Sequence, residues 1–226
     1  MCVHATIAVA TWLYQSGQVM GSHLDVQTPL GRRAIFFEDN ELVPRVWVEQ
    51  WLPTIRPESP SREELCRVLK ISDRMIHPQW PIETVSTSRF KTLVPLINTQ
   101  VLDELKPHWE ALWDLCTIYQ STGIYPFSPV SLDNGLFAAR QFPVRAGYPE
   151  DPATGVAASA LSGYLVRHQI IAAKCGQRAR MRIHQGDAMG RPSVIEAEVQ
   201  LDDQGQARAT RVGGNAAIWG QRTMTL

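Results

Sequence analysis

The sequence predicts an α+β protein of two lobes, in which helices are interleaved with antiparallel sheet. Two stretches of small and apolar residues, 4–16 and 152–167, have helical spacing. Between them, segments that alternate apolar and polar residues are separated by turn residues, as in antiparallel strands. Pro53, Pro57 and Pro60 punctuate a linker, which is the best candidate for the lobe boundary.

The first part of the chain predicts one helix followed by a small sheet. Ile7, Ala10 and Leu13 lie on one face of a helix that ends at Gly17. After the linker, Ser61 and Glu64 form a capping box, because each side chain can satisfy the other residue's free backbone donor. The strands predicted between these helices cover 19–28, 33–37 and 43–51.

The second part of the chain predicts a larger sheet with one outer helix at 107–119. Trp109, Leu112, Trp113 and Cys116 share one face of that helix, and such an aromatic stripe is typical of core packing. The hairpin turn 202–205 joins two well-alternating strands. The predicted strands cover 82–88, 91–97, 123–128, 135–142, 180–184, 193–201, 208–212 and 216–226, the last of which can return to the first lobe.

The helix at 152–167 consists almost wholly of small residues, so other backbone can approach it closely on every side. Asp151 is predicted as its N-cap and Pro152 as its first helical residue. The N-terminus of such an encased helix carries free N–H groups and a partial positive charge, which suits an anion.

The two small-residue helices also resemble each other. Ala5-Thr6 aligns with Ala153-Thr154, each pair lying in a small, apolar stretch. If this reflects an internal duplication, the two lobes are unequal, because about ninety residues after Ser61 can wrap the later helix and only three precede His4. Either the first lobe is incomplete or the duplication is illusory.

The composition excludes several classes of function. Lys plus Arg equals Asp plus Glu at 22 each, and no basic run occurs, so the sequence predicts no nucleic-acid partner. No stretch has the length and apolarity of a membrane-spanning helix, and the apolar start lacks a basic region and a cleavage site, which predicts no membrane association and a cytoplasmic location.

No cofactor or metal is predicted either. The sequence contains neither a dinucleotide-binding nor a P-loop motif. Its six histidines lack metal-ligand spacing. The four cysteines are widely separated, which favours reduced thiols.

Four segments carry a resemblance to a known family. They are Cys2-Val3-His4-Ala5-Thr6, Glu150-Asp151-Pro152-Ala153-Thr154-Gly155, Gln185-Gly186 with Met189-Gly190-Arg191-Pro192-Ser193, and Val212-Gly213-Gly214-Asn215-Ala216. In order and spacing across nearly the whole chain, they resemble the phenazine-biosynthesis PhzF-like family.

The resemblance implies the diaminopimelate-epimerase-like fold, in which each of two lobes rolls a mostly antiparallel sheet around a central helix. The implied domains are a truncated N-terminal lobe at 1–57 and a C-terminal lobe at 58–226. It also implies that the first lobe lacks the family's leading segment, which carries the glutamate regarded as the principal acid/base.

The implied site lies where the two central helices begin. His4 and Asp151 are the predicted catalytic residues, since histidine as a residue type changes protonation near neutral pH and Asp151 can orient it or the substrate. Val3, Thr154, Gly155 and Val156 are the predicted substrate-binding residues. Val3 stands where the family usually has glycine, and Val156 where serine is frequent. The simpler interpretations are that Asp151 only caps its helix and that His4 is a core histidine.

Three residues near this site have weaker roles. Cys2 occupies the place of one catalytic cysteine of the related diaminopimelate epimerases, but Thr154 occupies the place of the second, which disfavours a two-thiol mechanism. Gln185 and Arg191 are secondary candidates for substrate contacts.

The resemblance therefore implies a cofactor-independent isomerase or epimerase that moves a proton on a small carboxylate-bearing metabolite. The alternative is a catalytically inactive relative that binds a small acid or acts through partners. A homodimer is also expected, because the first helix would otherwise expose Ile7, Val9, Trp12 and Leu13.

Overall fold

The computed structural model describes residues 2–38, 43–218 and 220, and its fold is α+β as predicted. The described part contains helices α1 to α5 at Val3–Gln15, Arg62–Leu69, Thr99–Asp103, Trp109–Ile118 and Gly155–Arg167. Short 3-10 turns lie at Asp73–Met75 and Asp187–Met189. No helix in the described ranges is long and apolar enough to span a membrane.

The strands of the described residues form one sheet. In chain order β1 to β12 are His23–Thr28, Gly31–Glu38, Arg45–Gln50, Thr54–Ile55, Glu83–Ser86, Phe90–Pro95, Gly123–Ser131, Leu136–Ala139, Phe142–Pro143, Arg178–Gln185, Ser193–Leu201 and Ala207–Gly214. Their spatial order is β1-β2-β3-β12-β11-β10-β8-β7-β6-β5-β4, with β9 beside β7. The pairings are antiparallel except β6 with β7 and β8 with β10, which confirms the mostly antiparallel prediction.

Chain connectivity makes this sheet curl around α5. Only residues 51–53 join β3 to β4, although these strands lie eight places apart in the sheet order. Because so short a linker spans at most about 14 Å, the path from β3 through β12 to β4 has to return close to its start. Residues 157–165 of α5 are all buried inside the curl. The predicted central helix of the second lobe is therefore confirmed.

The other helices occupy two different environments. Val3, Ile7 and Ala10 of α1 are buried against β3 and β12, in the same core as α5, whereas Val9 and Trp12 are 57% and 43% exposed. Helices α2, α3 and α4 cover a second core on the other side of the sheet. Leu112 and Cys116 of the predicted α4 stripe are fully buried there.

Several local predictions are confirmed and several are wrong. The capping box of Ser61 and Glu64 is formed, and all four cysteines are free. The predicted linker contains β4, and the strand predicted at 135–142 is broken between β8 and β9. Helix α3 was not expected. Residues 215–218 are not a strand, and 219 and 221–226 lie outside the described residues, so most of the predicted final strand is outside them too. The lobe boundary between Pro53 and Ser61 stays a prediction.

Candidate active site

Helix α5 starts later than its sequence predicts. Its first residue is Gly155 and its N-cap is Thr154, so Asp151 is not the N-cap and Pro152 is not the first helical residue. The reason is that the carboxylate of Asp151 accepts a hydrogen bond from the Thr154 hydroxyl instead of from a backbone N–H group of the helix. The distance between Thr154 Oγ1 and Asp151 Oδ2 is 2.6 Å. Asp151 therefore lies one turn before the helix, in a loop that closes on itself.

The Thr154 hydroxyl does not cap the helix either. It donates a hydrogen bond to the Asp151 carboxylate and accepts one from the Gln185 amide. The backbone N–H groups of Gly155 and Val156 have no hydrogen-bond partner in the described part of the chain. With the helix macrodipole behind them, free N–H groups of this kind are suited to an anion.

Gln185, the last residue of β10, holds the Asp151 loop in place. Its Nε2 donates to the Asp151 carbonyl at 2.6 Å and to Thr154 Oγ1 at 3.1 Å. Its Oε1 accepts from the Thr154 N–H at 3.3 Å and from the Tyr125 hydroxyl at 3.1 Å. Burial, and to a lesser extent the charge of Asp151, raises the pKa of Tyr125, so its hydroxyl keeps the proton that it donates.

The segment after Gln185 closes around the same loop. Gly186 has a φ of +87°, and a Cβ there would lie 3.0 Å from the Pro152 carbonyl oxygen and closer still to that of Arg191, so only glycine fits. Ser193 Oγ donates to the Pro152 carbonyl at 2.7 Å. The Arg191 side chain is exposed and takes no part in this network, whereas Gln185 is central to it.

Glu150, immediately before Asp151, forms a buried ion pair with Arg140. The two Arg140 to Glu150 hydrogen bonds measure 2.9 and 2.7 Å. Arg140 Nη1 also donates to the carbonyls of Leu102, Asp103 and Leu105 at the end of α3. A buried pair with this many satisfied donors fixes its segment, so the position of Asp151 is anchored from both sides. Glu150 lies within the resemblance segments, but its partner had no signal in the sequence.

A buried lysine lies near the same loop. Lys91 is 6% exposed, its Nζ donates to the Thr122 carbonyl at 3.3 Å, and burial lowers its pKa to about 8. The charge of Asp151 acts in the opposite direction and favours the ammonium form. The Gln141 side chain, which is 1% exposed, has neither polar atom hydrogen-bonded within the described residues, and its backbone pairs with Asp151.

The start of α1 meets the start of α5. A Cβ built on Gly155 would lie 2.7 Å from Val3 Cβ, so the Val3 side chain packs directly on the Gly155 backbone. Like α5, α1 has no side-chain cap and no acidic residue in its first turn. The predicted juxtaposition of two helix N-termini is thus present in the fold.

No hydrogen bond joins His4 to Asp151 among the described residues. His4 is exposed, and its two ring nitrogens lie 3.6 and 3.5 Å from Cys2 Sγ. No ion pair joins His4 to Asp151 in the described ranges. The Ala5-Thr6 pair lies inside α1, whereas Ala153-Thr154 precedes α5, so the two helices do not begin at equivalent positions of the alignment. The assignment of His4, Asp151, Val3, Thr154, Gly155 and Val156 to a substrate site stays a prediction.

Comparison with known proteins places nearly the whole chain in one family. The family model described as phenazine biosynthesis-like protein matches residues 1–222. The chain belongs to the phenazine biosynthesis-like protein family. This membership confirms the resemblance deduced from the four sequence segments.

Relatives of this family are named as isomerases. An uncharacterized isomerase of Deinococcus radiodurans is 33% identical over 222 residues, a match that covers 96% of this chain and 70% of the relative. A trans-2,3-dihydro-3-hydroxyanthranilate isomerase of Pseudomonas chlororaphis is 30% identical, with 92% of this chain and 70% of the relative covered. The family is enzymatic, and its chemistry is isomerisation.

Solved structures agree on the fold. A phenazine biosynthesis protein of the PhzF family from Bacillus anthracis superposes with a TM-score of 0.80 at 21% identity, covering 95% of this chain and 72% of that one. A predicted epimerase from Pseudomonas aeruginosa gives a TM-score of 0.71 at 22% identity and covers 96% of this chain and 74% of that one.

Proposed function

We propose that this protein is a cofactor-independent isomerase that moves a proton on a small carboxylate-bearing metabolite, at the junction of α1 and α5. The observation that carries the proposal is the contact of Val3 with Gly155. It brings two uncapped helix starts together beside the anchored Asp151 loop. Membership of a family whose relatives are named isomerases supports it.

The free N–H groups of Gly155 and Val156 are suited to the substrate carboxylate. Backbone donors fixed in advance also stabilise the negative charge that develops when a proton leaves a carbon next to a carbonyl or carboxylate group. Asp151 is the proposed acid/base or orienting group, because its carboxylate is partly exposed and held by Thr154. His4, on the facing helix start, is the proposed second proton carrier.

The proposed reaction needs no redox partner. A proton leaves one carbon of the substrate for the enzyme group, the electron pair shifts along the conjugated system, and a proton returns to another carbon. Substrate and product have the same composition, and the acid/base group ends in its starting protonation state.

A non-catalytic acid-binding protein is the second candidate. One observation favours it: His4 is exposed beside Cys2 and forms no hydrogen bond with Asp151 among the described residues. Such a protein would keep the anion site of α5 without turnover.

The test uses trans-2,3-dihydro-3-hydroxyanthranilate, the compound in the name of the Pseudomonas chlororaphis relative. The purified chain is incubated with it in D2O, and product and deuterium incorporation are followed by NMR. We expect deuterium at the carbon that receives the proton, and a loss of about a hundredfold or more in rate for Asp151→Asn. The Asn oxygen can still accept from Thr154, so this variant should remain folded.

Asp133→Asn, which changes an exposed carboxylate in the β7–β8 turn, is the matched control and should keep the wild-type rate. Turnover that is equal in wild type and Asp151→Asn would refute the role of Asp151. Saturable binding of the compound without deuterium incorporation would refute the isomerase proposal and support the non-catalytic acid-binding protein.

A further inference from the structure

A large cavity lies at the opposite end of α5 from the Asp151 loop. Its volume is about 1080 Å³, just above the usual range for small-molecule sites. Because α5 has 13 residues, its two ends are about 20 Å apart. A molecule in this cavity would therefore not touch the helix starts.

Apolar side chains form part of the inner wall of the cavity, and glutamine and charged side chains line the rest. The wall is built where the curled sheet closes on itself, from the 51–53 linker, from β5 and from the β11–β12 hairpin. Val85, Ile171 and Leu201 are buried at this wall. Pro53 packs on α5 so closely that a Cβ on Gly163 would lie 3.0 Å from Pro53 Cβ and closer still to its Cγ, which keeps the linker at the cavity edge.

The rim of the cavity is cationic. Arg167, Lys174 and Arg178 line it, against the single carboxylate of Glu83. Arg167 forms an ion pair with Glu83 at 3.5 Å, and Arg178 donates to Gln200 and forms an ion pair with Glu198 at 3.8 Å. Lys174 forms no ion pair in the described part of the chain. The rim thus has an excess of positive charge that an anion would neutralise.

The cavity wall also contains an acceptor without a donor. Glu83 Oε1 lies 3.5 Å from Arg167 and 3.1 Å from His168 Nε2, but Glu83 Oε2 is buried and has no hydrogen-bond partner among the described residues. A buried carboxylate oxygen left unpaired is costly. A ligand N–H or O–H group would satisfy it.

We propose that this cavity is a second ligand site, which binds an organic anion whose apolar body carries a hydrogen-bond donor. The anionic group lies at the rim beside Lys174, the apolar body lies against the inner wall, and the donor reaches Glu83. The site is separate from the proposed isomerase site and does not depend on it.

The fluorescent probe 6-anilinonaphthalene-2-sulfonate has these three features: a sulfonate, two aromatic systems and an anilino N–H that lies away from the sulfonate. We expect saturable fluorescence enhancement with one probe per chain. Lys174→Glu should weaken binding about tenfold, because it replaces a cation at the rim by an anion. Lys106→Glu, the same charge reversal at an exposed lysine outside the cavity, should leave the affinity unchanged.

Competition identifies the charge that the site prefers. Decanoate should displace the probe, whereas decyltrimethylammonium, which has an equally long tail and the opposite charge, should not. The proposal is overturned if both displace it equally, or if Lys174→Glu binds as the wild type does. It is also overturned if Trp12→Ser abolishes binding, since the probe would then lie on the exposed face of α1.

Discussion

Replacing Gly155 by alanine tests whether the starts of α1 and α5 are in contact. The new Cβ would lie 2.7 Å from both Cβ and Cγ1 of Val3 and 3.0 Å from its Cγ2. Real Cβ atoms do not approach so closely, so one helix start has to move. Val3 cannot rotate away, because its Cβ is attached to the backbone and β-branched side chains have one favoured rotamer in a helix.

The magnitude follows from this overlap. An overpacked contact of this kind costs about 1 to 3 kcal/mol. Val3→Gly alone loses a buried valine and some helix propensity, together about 2 to 4 kcal/mol. In the double variant the overlap is gone, so its loss should be smaller than the sum of the single losses by about 1 to 3 kcal/mol.

Urea unfolding of the wild type, both single variants and the double variant measures this coupling. Gly214→Ala is the control, because a Cβ there would meet Ile7 of the same helix at 3.9 Å, an ordinary contact. That variant should unfold within about 1 kcal/mol of the wild type. Strictly additive effects of Gly155→Ala and Val3→Gly would show that the helix starts are not in contact.

Two further predictions concern Lys91 and α1. Burial lowers the pKa of Lys91 from 10.5 to about 8, so the folded state binds this proton less tightly than the unfolded chain, and stability should rise with pH between 8 and 10.5. Lowering the pKa of Lys91 from 10.5 to about 8 corresponds to about 3 kcal/mol, less about 1 kcal/mol for the bond to Thr122, so Lys91→Met should stabilise the fold by about 2 kcal/mol at pH 7. This gain should disappear by pH 10.5 in urea unfolding, and a pH-independent gain would contradict it. We also propose a homodimer through the exposed face of α1: Trp12→Ser should lower the mass measured by light scattering, and a wild-type monomer at high concentration would refute it.

The sequence predicts the helices and strands of this fold better than the order in which the strands pair to close the sheet. Alternation and turn residues are local signals, and they place most strands and the capping box of Ser61 and Glu64 correctly. Which strands pair across the chain is a non-local property, so the sequence indicates the hairpin of β11 and β12 but not the pairing of β12 with β3. Helix α3 is only five residues long, too short to show a helical period.

The candidate site is predictable where it lies in a motif and unpredictable where it depends on tertiary contacts. Asp151 has the residue type and spacing of an N-cap, yet the hydrogen bond from Thr154 moves the helix start to Gly155. The sequence gives Gln185 only a secondary role, because nothing local shows that its amide reaches four groups on other elements. The sequence does not predict the ion pair of Arg140 with Glu150 either, because nothing in the residues around Arg140 distinguishes a buried arginine from a surface one.

The central claim is that the two helix starts form one anion site. Its most direct test is an amide NMR titration of the ¹⁵N-labelled chain with 2-aminobenzoate, a stable aromatic carboxylate. The free N–H groups of Gly155 and Val156 should show the largest shifts, together with those of Val3 and His4 on the facing helix. Shifts confined to other parts of the chain, with Gly155 and Val156 unmoved at saturation, would contradict the claim.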